Sequence, residues 1–426
     1  MTVSARTLAL DASGRVIDEG AYSNRLLPVA LSRSGLDRRD RAFATELTYG
    51  VLRARLRLDP AIESRASRPL SRMDARVANL LRLGAYQLLE AGTPPHAAVS
   101  ETVALADGRS RGFVNAVLRK IAADPPTPPT GDADAAIEGR TGLVRWAVRE
   151  LRTLVGDDVE AAAGAFGRRA PLCVRATGDA GDLGARFEAD GHRVEPAPVD
   201  PACLLLPDGA DPATLPGYDD GAFAVQDQAS AAVARLVGAA RGDRVADVCA
   251  APGGKSFALD AGVGDAGTVV AADLGEGRLV AMGREAARLS VRPLRVRHDA
   301  RAPALRTGAF DAVLVDAPCS GIGSARRRPE LLWRVAAPAV PTLAAMQLAI
   351  AAASADLVRP GGRLVYAVCT FPRAETDAVA DLLLERRRDL RPVRTEGPWG
   401  AGERHRLWPH EHGSDGMFIA VFERAA

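Results

Sequence analysis
From residue 5 to about residue 123 the apolar positions recur three and four apart, the period of a helix with one buried face. The pattern is plain in Phe43-Ala-Thr-Glu-Leu-Thr-Tyr-Gly-Val-Leu52, in Val77-Ala-Asn-Leu-Leu-Arg-Leu-Gly-Ala-Tyr86 and in Phe113-Val-Asn-Ala-Val-Leu118. It predicts an all-α domain over residues 1–123. The pattern stops at Asp124-Pro-Pro-Thr-Pro-Pro-Thr-Gly131, where prolines remove the amide protons a helix needs and favour an extended spacer, so 124–138 reads as a linker. Helical periodicity returns over 139–170. Short apolar runs at Pro171–Arg175 and His192–Pro196 then flank a helical stretch at Asp182–Asp190. Residues 139–225 are therefore expected to form a small helical plus α+β insert.

Beyond Arg244 the texture changes. Short β-branched runs alternate with helical stretches: Arg244–Val248, Thr268–Ala272, Pro293–Arg297, Phe310–Val315 and Arg363–Val368. This alternation predicts an α/β, doubly wound, Rossmann-like domain over residues 226–426. In such sheets a ligand lies beyond the carboxyl ends of the strands, near the point where strand order reverses. Each of the runs ends close to a residue with chemistry to offer.

Composition narrows the classes. Hydrophobic residues make up 47% of the chain, yet no apolar run nears the roughly 20 residues that span a bilayer. The opening Met1-Thr-Val-Ser-Ala-Arg6 has no signal-peptide core, and a cytoplasmic protein is expected. Five cysteines, Cys173, Cys203, Cys249, Cys319 and Cys369, form neither a CxxC pair nor a Cys/His cluster. That argues against a disulfide framework and against a metal site, and leaves any important thiol free. The net charge is +2, but residues 1–123 hold 19 Lys and Arg against 12 Asp and Glu. Such an excess on one module suits a polyanion such as RNA, and equally a basic face that only meets solvent.

Asp247-Val-Cys-Ala-Ala-Pro-Gly-Gly-Lys-Ser256 follows the first run; its glycines allow a sharp turn and close backbone approach to a ligand. The GxGxxG and GxxxxGK[ST] spacings are both missing, so the turn suits a nucleoside carrying a sulfonium better than a dinucleotide or triphosphate. Asp273 and Asp299 at the next two run ends can accept hydrogen bonds from a ribose and an adenine amine, although each alone fits a helix cap or turn equally well. The expected cofactor is S-adenosyl-L-methionine, with Cys249, Ala250, Ala251, Pro252, Gly253, Gly254, Lys255, Asp273, Arg278, Asp299 and Asp316 as candidate binding residues. Cys249 itself reads as a small buried hydrophobe.

Asp316-Ala-Pro-Cys-Ser-Gly321 and Ala367-Val-Cys-Thr-Phe-Pro372 follow the last two runs. Two thiols and a carboxylate suit methylation at carbon 5 of cytosine. That carbon is a poor nucleophile until a thiolate adds to carbon 6 and converts the ring to an enamine. Asp316 can hydrogen-bond ring nitrogen 3 and the exocyclic amine. Small buried hydrophobes are the plain alternative for Cys319 and Cys369, and spacing does not choose which thiol attacks.

These motifs resemble the Sun/Fmu-type, RsmB-like family of 16S ribosomal RNA cytosine-5 methyltransferases. Arg326-Arg-Arg-Pro-Glu330 with Trp333-Arg334 and Leu407-Trp-Pro-His-Glu-His-Gly-Ser-Asp-Gly-Met-Phe418 resemble family segments too. Arg38-Arg-Asp-Arg41 through Tyr49-Gly50, and Gly112-Phe-Val-Asn-Ala-Val-Leu-Arg119, resemble its NusB-like RNA-binding domain. The resemblance spans almost the whole chain. It implies that Cys369 attacks and Cys319 assists product release, that Asp273 meets the cofactor's ribose and Asp299 its adenine, and that the 250–255 turn meets the methionine end, with Lys255 on its carboxylate. The chain departs from the family at Val368-Cys369-Thr370, where Thr-Cys-Ser is usual, and at Arg175-Ala-Thr177, where an Asn is common. A target base must be unstacked to meet a thiol, so Arg326, Arg327 and Arg328 are expected either to grip neighbouring phosphates or to form a solvated charge run. Competing readings are the same chemistry on transfer RNA, a non-catalytic RNA-binding or ribosome-assembly factor, and methylation of an exocyclic amine. A monomer is expected.

Overall fold
The computed structural model describes residues 3–425; Met1, Thr2 and Ala426, where the outermost domain limits and the first residues of the opening segment fall, lie outside the described residues. Two compact units emerge: residues 3–168 with 325–335, and residues 169–324 with 336–425.

The first unit is all-α. It runs through α1 (Ala5–Asp18), α2 (Ser23–Ser32), α3 (Arg38–Glu63), α4 (Ala75–Leu89), α5 (Pro95–Ala104) and α6 (Arg111–Ala123). Asp37 starts α3 by accepting a hydrogen bond from the Asp40 amide, and Asp74 does the same for α4 through Arg76, each satisfying an amide that has no partner in the first turn. The apolar faces meet in one core, with Leu47, Val51 and Leu58 of α3, Leu80, Leu81 and Leu83 of α4 and Val114 and Leu118 of α6 all buried. Gly50 is required for this packing, since a β-carbon there would lie 2.0 Å from Tyr86 Cζ.

Helices α7 (Asp134–Thr141), α8 (Arg145–Val155) and α9 (Val159–Phe166) belong to this same unit. The stretch read as one insert over 139–225 is thus divided after residue 168: its helices up to α9 pack with the N-terminal helices, and the rest belongs to the second unit. The reason is local: Arg57 of α3 donates to the Thr141 carbonyl at 3.1 Å, so α7 ends against α3. Residues 325–335 are anchored there as well. The Glu330 carboxylate accepts from the amide and hydroxyl of Ser23 at 3.1 and 2.6 Å. Trp333 Nε1 donates to Leu52 O at 2.9 Å, and Arg334 donates to Val16 O and Ala21 O.

The second unit opens with an antiparallel sheet of β1 (Leu172–Ala176), β2 (Glu195–Pro196), β3 (Cys203–Leu206) and β4 (Phe223–Val225), in the order β2-β3-β1-β4, with α10 (Ala180–Ala189) alongside. The larger sheet holds β5 (Arg244–Asp247), β6 (Thr268–Asp273), β7 (Leu294–Arg297), β8 (Phe310–Asp316), β9 (Val358–Val368) and β10 (Leu390–Pro392). A separate ribbon of β11 (Thr395–Gly397) and β12 (Gly400–Gly402) follows, and then β13 (Arg404–Leu407) and β14 (Met417–Arg424) return to the large sheet. Its order is β10-β14-β9-β8-β5-β6-β7, with β13 also on β14.

Strands β5 to β9 are mutually parallel, whereas β14 runs antiparallel to β9, and β10 and β13 antiparallel to β14. The sheet is therefore mixed. Its central strands are buried on both faces: Leu364, Tyr366 and Val368 of β9 enter one core and Val365 and Ala367 the other, as a sheet covered by helices on both sides requires. Helices α11 (Gln228–Val237), α12 (Gly254–Val263), α13 (Glu276–Arg288), α14 (Ala339–Ala355) and α15 (Asp377–Arg386) supply the cover. Strand β5 lies between β6 and β8, so the order reverses there and the carboxyl ends of β5, β6, β8 and β9 converge at one place. Among the described residues no helix is long and apolar enough to cross a membrane, and no cluster of His, Cys, Asp or Glu forms a metal-ligating group.

Candidate active site
The turn after β5 is shaped by backbone sterics. Gly253 has φ +115, and a β-carbon there would sit 2.3 Å from the Phe257 ring and 2.8 Å from Met282, so only glycine keeps this path into α12 open. Asp273, at the end of β6, is buried at 3% exposure. It accepts from the Ala251 amide at 3.1 Å and the Gly275 amide at 2.7 Å, and pairs with Arg278 at 2.6 Å. The turn, Asp273 and Arg278 are thus one assembly. Asp299, beyond β7, is half-buried and paired with Arg301 at 2.6 Å; that hydrogen bond holds its carboxyl down at about 2. Its neighbour His298 makes a hydrogen bond through Nε2 to Val248 O at 3.1 Å, tying the end of β7 to β5.

Beneath the turn lies Asp247, buried at 1% exposure. Its Oδ2 accepts from the Ser256 hydroxyl at 2.6 Å, while Oδ1 has no hydrogen-bond partner among the described residues. Burial pushes its pKa up to about 7, with the Ser256 hydrogen bond opposing and Asp316 adding to the rise. A carboxyl raised above its unfolded value stabilises the fold below the unfolded pKa, and that stability is lost as pH rises towards and through 7. The ligand-free protein should lose about 2 kcal/mol between pH 5 and pH 8 through this group. Asp247→Asn should remove that part of the pH dependence in thermal melts at the two pH values; parallel wild-type and variant curves would show that Asp247 is ionised in the fold.

The two cysteine-bearing loops are brought together by β8 and β9. These strands are parallel, with Asp316 opposite Ala367, so the residues just beyond their ends face one another. Cys319 Sγ lies 3.5 Å from Cys369 Sγ, and both residues are half-buried. Gly323 completes the frame: its amide donates to Cys369 O at 3.0 Å, its carbonyl accepts from the Gly416 amide at 2.8 Å, and a β-carbon would lie 2.2 Å from Gly416 O.

Lys255 extends from the turn after β5 to the loop after β8, with Nζ 2.7 Å from Asp316 Oδ2 and only 11% of its side chain exposed. Burial works against its ammonium, but Asp316, and after it Cys369, outweigh the penalty and hold the pKa above the ordinary lysine value. The Cys319 thiol is pushed well up by its hydrogen bond with Cys369, by burial, and by the charges of Cys369, Glu375 and Asp316. Cys249 is pushed up by burial and by three aspartates, Asp247, Asp316 and Asp273, which keeps it a protonated packing residue. Cys369 thus acts on the Lys255 ammonium, and the Glu375 and Asp316 carboxylates act on Cys319.

Arg326 is buried and Arg327 and Arg328 are half-buried, in the segment that packs with the helical unit; they are not a solvated charge run. Sequence reasoning missed a buried set behind the thiols formed by Ser320, Thr370, Glu375, Gln347 and Tyr366. Its only sequence signal is that each cysteine is followed by a hydroxyl residue, Ser320 or Thr370.

Two family models match the chain: one described as 16S rRNA methyltransferase RsmB/F over residues 235–423, the other as the NusB family over 3–123. A ribosomal RNA small subunit methyltransferase B of Xylella fastidiosa is 35% identical, over 98% of this chain and 98% of that protein. The chain belongs to the RsmB/F family. A Salmonella paratyphi B relative of the same description is 32% identical over 97% of each chain. The crystal structure of PH0851 superposes with a TM-score of 0.85 at 22% identity over both whole chains, and shows the same fold. This RsmB/F member is accordingly an S-adenosylmethionine-dependent RNA methyltransferase with an N-terminal NusB domain, and the strand-end turn and thiol pair occupy the switch point of its sheet.

Proposed function
We propose that this RsmB/F protein methylates carbon 5 of a cytidine in 16S ribosomal RNA through a covalent adduct on Cys369. The observation that carries the reading is the pair of sulfurs 3.5 Å apart, next to the Lys255–Asp316 pair. A non-catalytic factor has no use for such a pair. The small-subunit methyltransferase relatives favour ribosomal over transfer RNA.

The residues at the switch point fit S-adenosylmethionine. The turn at Ala250–Lys255 leaves room for a backbone approach, Asp247 presents an unsatisfied buried oxygen, and Asp273, Arg278 and Asp299 stand at successive strand ends. These residues would hold it, and when bound it supplies an electrophilic methyl group on a sulfonium. Asp316 and Lys255 orient the cytosine and hold a proton at ring nitrogen 3 as charge builds there. Cys369 sulfur adds to carbon 6, and the ring electrons pass to nitrogen 3 and leave carbon 5 nucleophilic. After methylation, Cys319 gives up its own proton to solvent and takes the proton from carbon 5. The C–H pair restores the carbon 5–carbon 6 double bond, and the bond to sulfur breaks with its pair returning to Cys369. All four groups come from one chain, so a monomer suffices, and it acts in the cytoplasm where ribosomal RNA is assembled.

The test is to incubate the full chain with 16S ribosomal RNA and methyl-labelled donor, then digest to nucleosides. Label is expected in 5-methylcytidine. Label on the exocyclic nitrogen, or label taken up by transfer RNA but not by ribosomal RNA, would refute the reading.

A further inference from the structure
Behind the two thiols lies a carboxylate that the reaction above does not use. Glu375, in the short turn Arg373–Glu375 between β9 and α15, is 0% exposed. Its Oε1 accepts from the Ser320 amide and from Gln347 Nε2, both at 2.8 Å, and its Oε2 accepts from the Ser320 hydroxyl at 2.5 Å. Because Ser320 spends its proton on Glu375, the 2.6 Å contact between Ser320 Oγ and Thr370 Oγ1 must be donated by Thr370. Gln347 Nε2 also donates to the Pro318 carbonyl at 3.0 Å, and the Tyr366 hydroxyl lies 2.6 Å from the Glu375 carbonyl.

Each partner belongs to a segment that carries chemistry. Ser320 follows Cys319, Thr370 follows Cys369, and Pro318 precedes Cys319. A single buried group therefore ties both thiol loops to α14, through hydrogen bonds from which water is excluded. The chain lacks a hydroxyl immediately before Cys369, and the hydroxyl immediately after it takes part in this set.

We propose that Glu375 is a positioning residue for the two-thiol reaction: through Ser320 and Thr370 it holds the Cys319 and Cys369 loops in the register that sets their sulfurs face to face, and it governs release of the methylated product. The proposal rests on the covalent reading above. Its charge also acts on Cys319, contributing to the rise of that thiol after the Cys369 hydrogen bond and burial have made theirs. When Cys369 is bonded to carbon 6 its hydrogen bond and charge are gone, while Glu375 remains and keeps Cys319 a strong base.

The test uses the full chain, the RNA substrate and the methyl donor in single turnover. It follows methylated RNA, the covalent protein–RNA band on denaturing gels, RNA affinity and melting temperature. Glu375→Gln keeps the shape and removes the charge. It should melt near wild type, bind RNA equally and form the methylated adduct, but release it between about ten- and a hundredfold more slowly. The covalent band should accumulate, and the pH profile of release should move to lower pH. Ser320→Ala should show the same accumulation by breaking the tie, and Thr370→Ser should release near the wild-type rate. Wild-type release with an unmoved pH profile in Glu375→Gln, or wild-type release in Ser320→Ala, overturns the proposal. If Cys319→Ala, run alongside, gives a band while Glu375→Gln releases normally, Glu375 alone is at fault; if Cys319→Ala gives no band, the covalent reading falls and this proposal with it.

Discussion
Replacing Cys369 with alanine is expected to abolish methyl transfer, lowering the single-turnover rate by at least about four orders of magnitude. Outside the pair, no other thiol is placed to add to carbon 6. Cys249 is held protonated by burial and three aspartates, and Cys173 and Cys203 are buried in the core of the other sheet. The measurement that separates the thiols uses RNA with 5-fluorocytidine at the target. Fluorine replaces the proton that Cys319 must remove, so the adduct forms, is methylated and cannot resolve. Wild type and Cys319→Ala should both give a band stable to denaturation, and Cys369→Ala none. On ordinary RNA, Cys319→Ala should also retain a band, because loss of the base stops the reaction after methylation. Cys369 acts on the Lys255 ammonium, whereas Glu375 and Asp316 add to the rise of Cys319. Trapping that survives loss of Cys369 and disappears without Cys319 would reverse the roles.

How far the chain could be read depended on whether a feature is local. Strands β5, β6, β8 and the end of β9 were visible because strands buried on both faces appear as short continuous apolar runs. The acidic residues and thiols at their ends follow at once in sequence. Strand β14 carries a run just as strong, Met417-Phe-Ile-Ala-Val-Phe422, but its antiparallel pairing with β9 depends on a chain path that no local pattern records. Periodicity over 139–170 showed helices with an apolar face, not which unit would cover that face. The arginines at 326–328 read as phosphate contacts or a solvated charge run, and no local pattern records that Glu330, Trp333 and Arg334 pull their segment into the helical unit. Glu375 was invisible for a related reason: Ser320 is 55 residues away and Gln347 28, and only the fold brings three donors to one carboxylate.

The second large effect should come from separating Lys255 and Asp316. Asp316→Asn is expected to lower the single-turnover rate by about 10²- to 10³-fold, the scale of losing one preorganised group at a site of developing charge. Lys255→Met should act similarly, since it removes the cation from the same atoms. The double variant should be little worse than the more damaged single one, because groups that act as a unit give effects that do not add. Stability gives an independent reading. In wild type Asp316 outweighs the burial that opposes the Lys255 ammonium, so the pair contributes stability across the neutral range and loses it only at strongly alkaline pH. In Asp316→Asn the largest opposing influence is lost and only the smaller ones of Cys369 and Asp247 remain, so Lys255 is expected to become a buried cation whose folded pKa lies below its unfolded one. Its penalty, about 3 kcal/mol for one side of a largely buried pair, should ease as pH rises and the folded state sheds the proton. Melting temperature should therefore climb between pH 7 and 9.5 relative to wild type in Asp316→Asn, and not in the double variant. Additive rate losses together with parallel melting curves would mean that the 2.7 Å contact does not couple the cofactor turn to the catalytic loop.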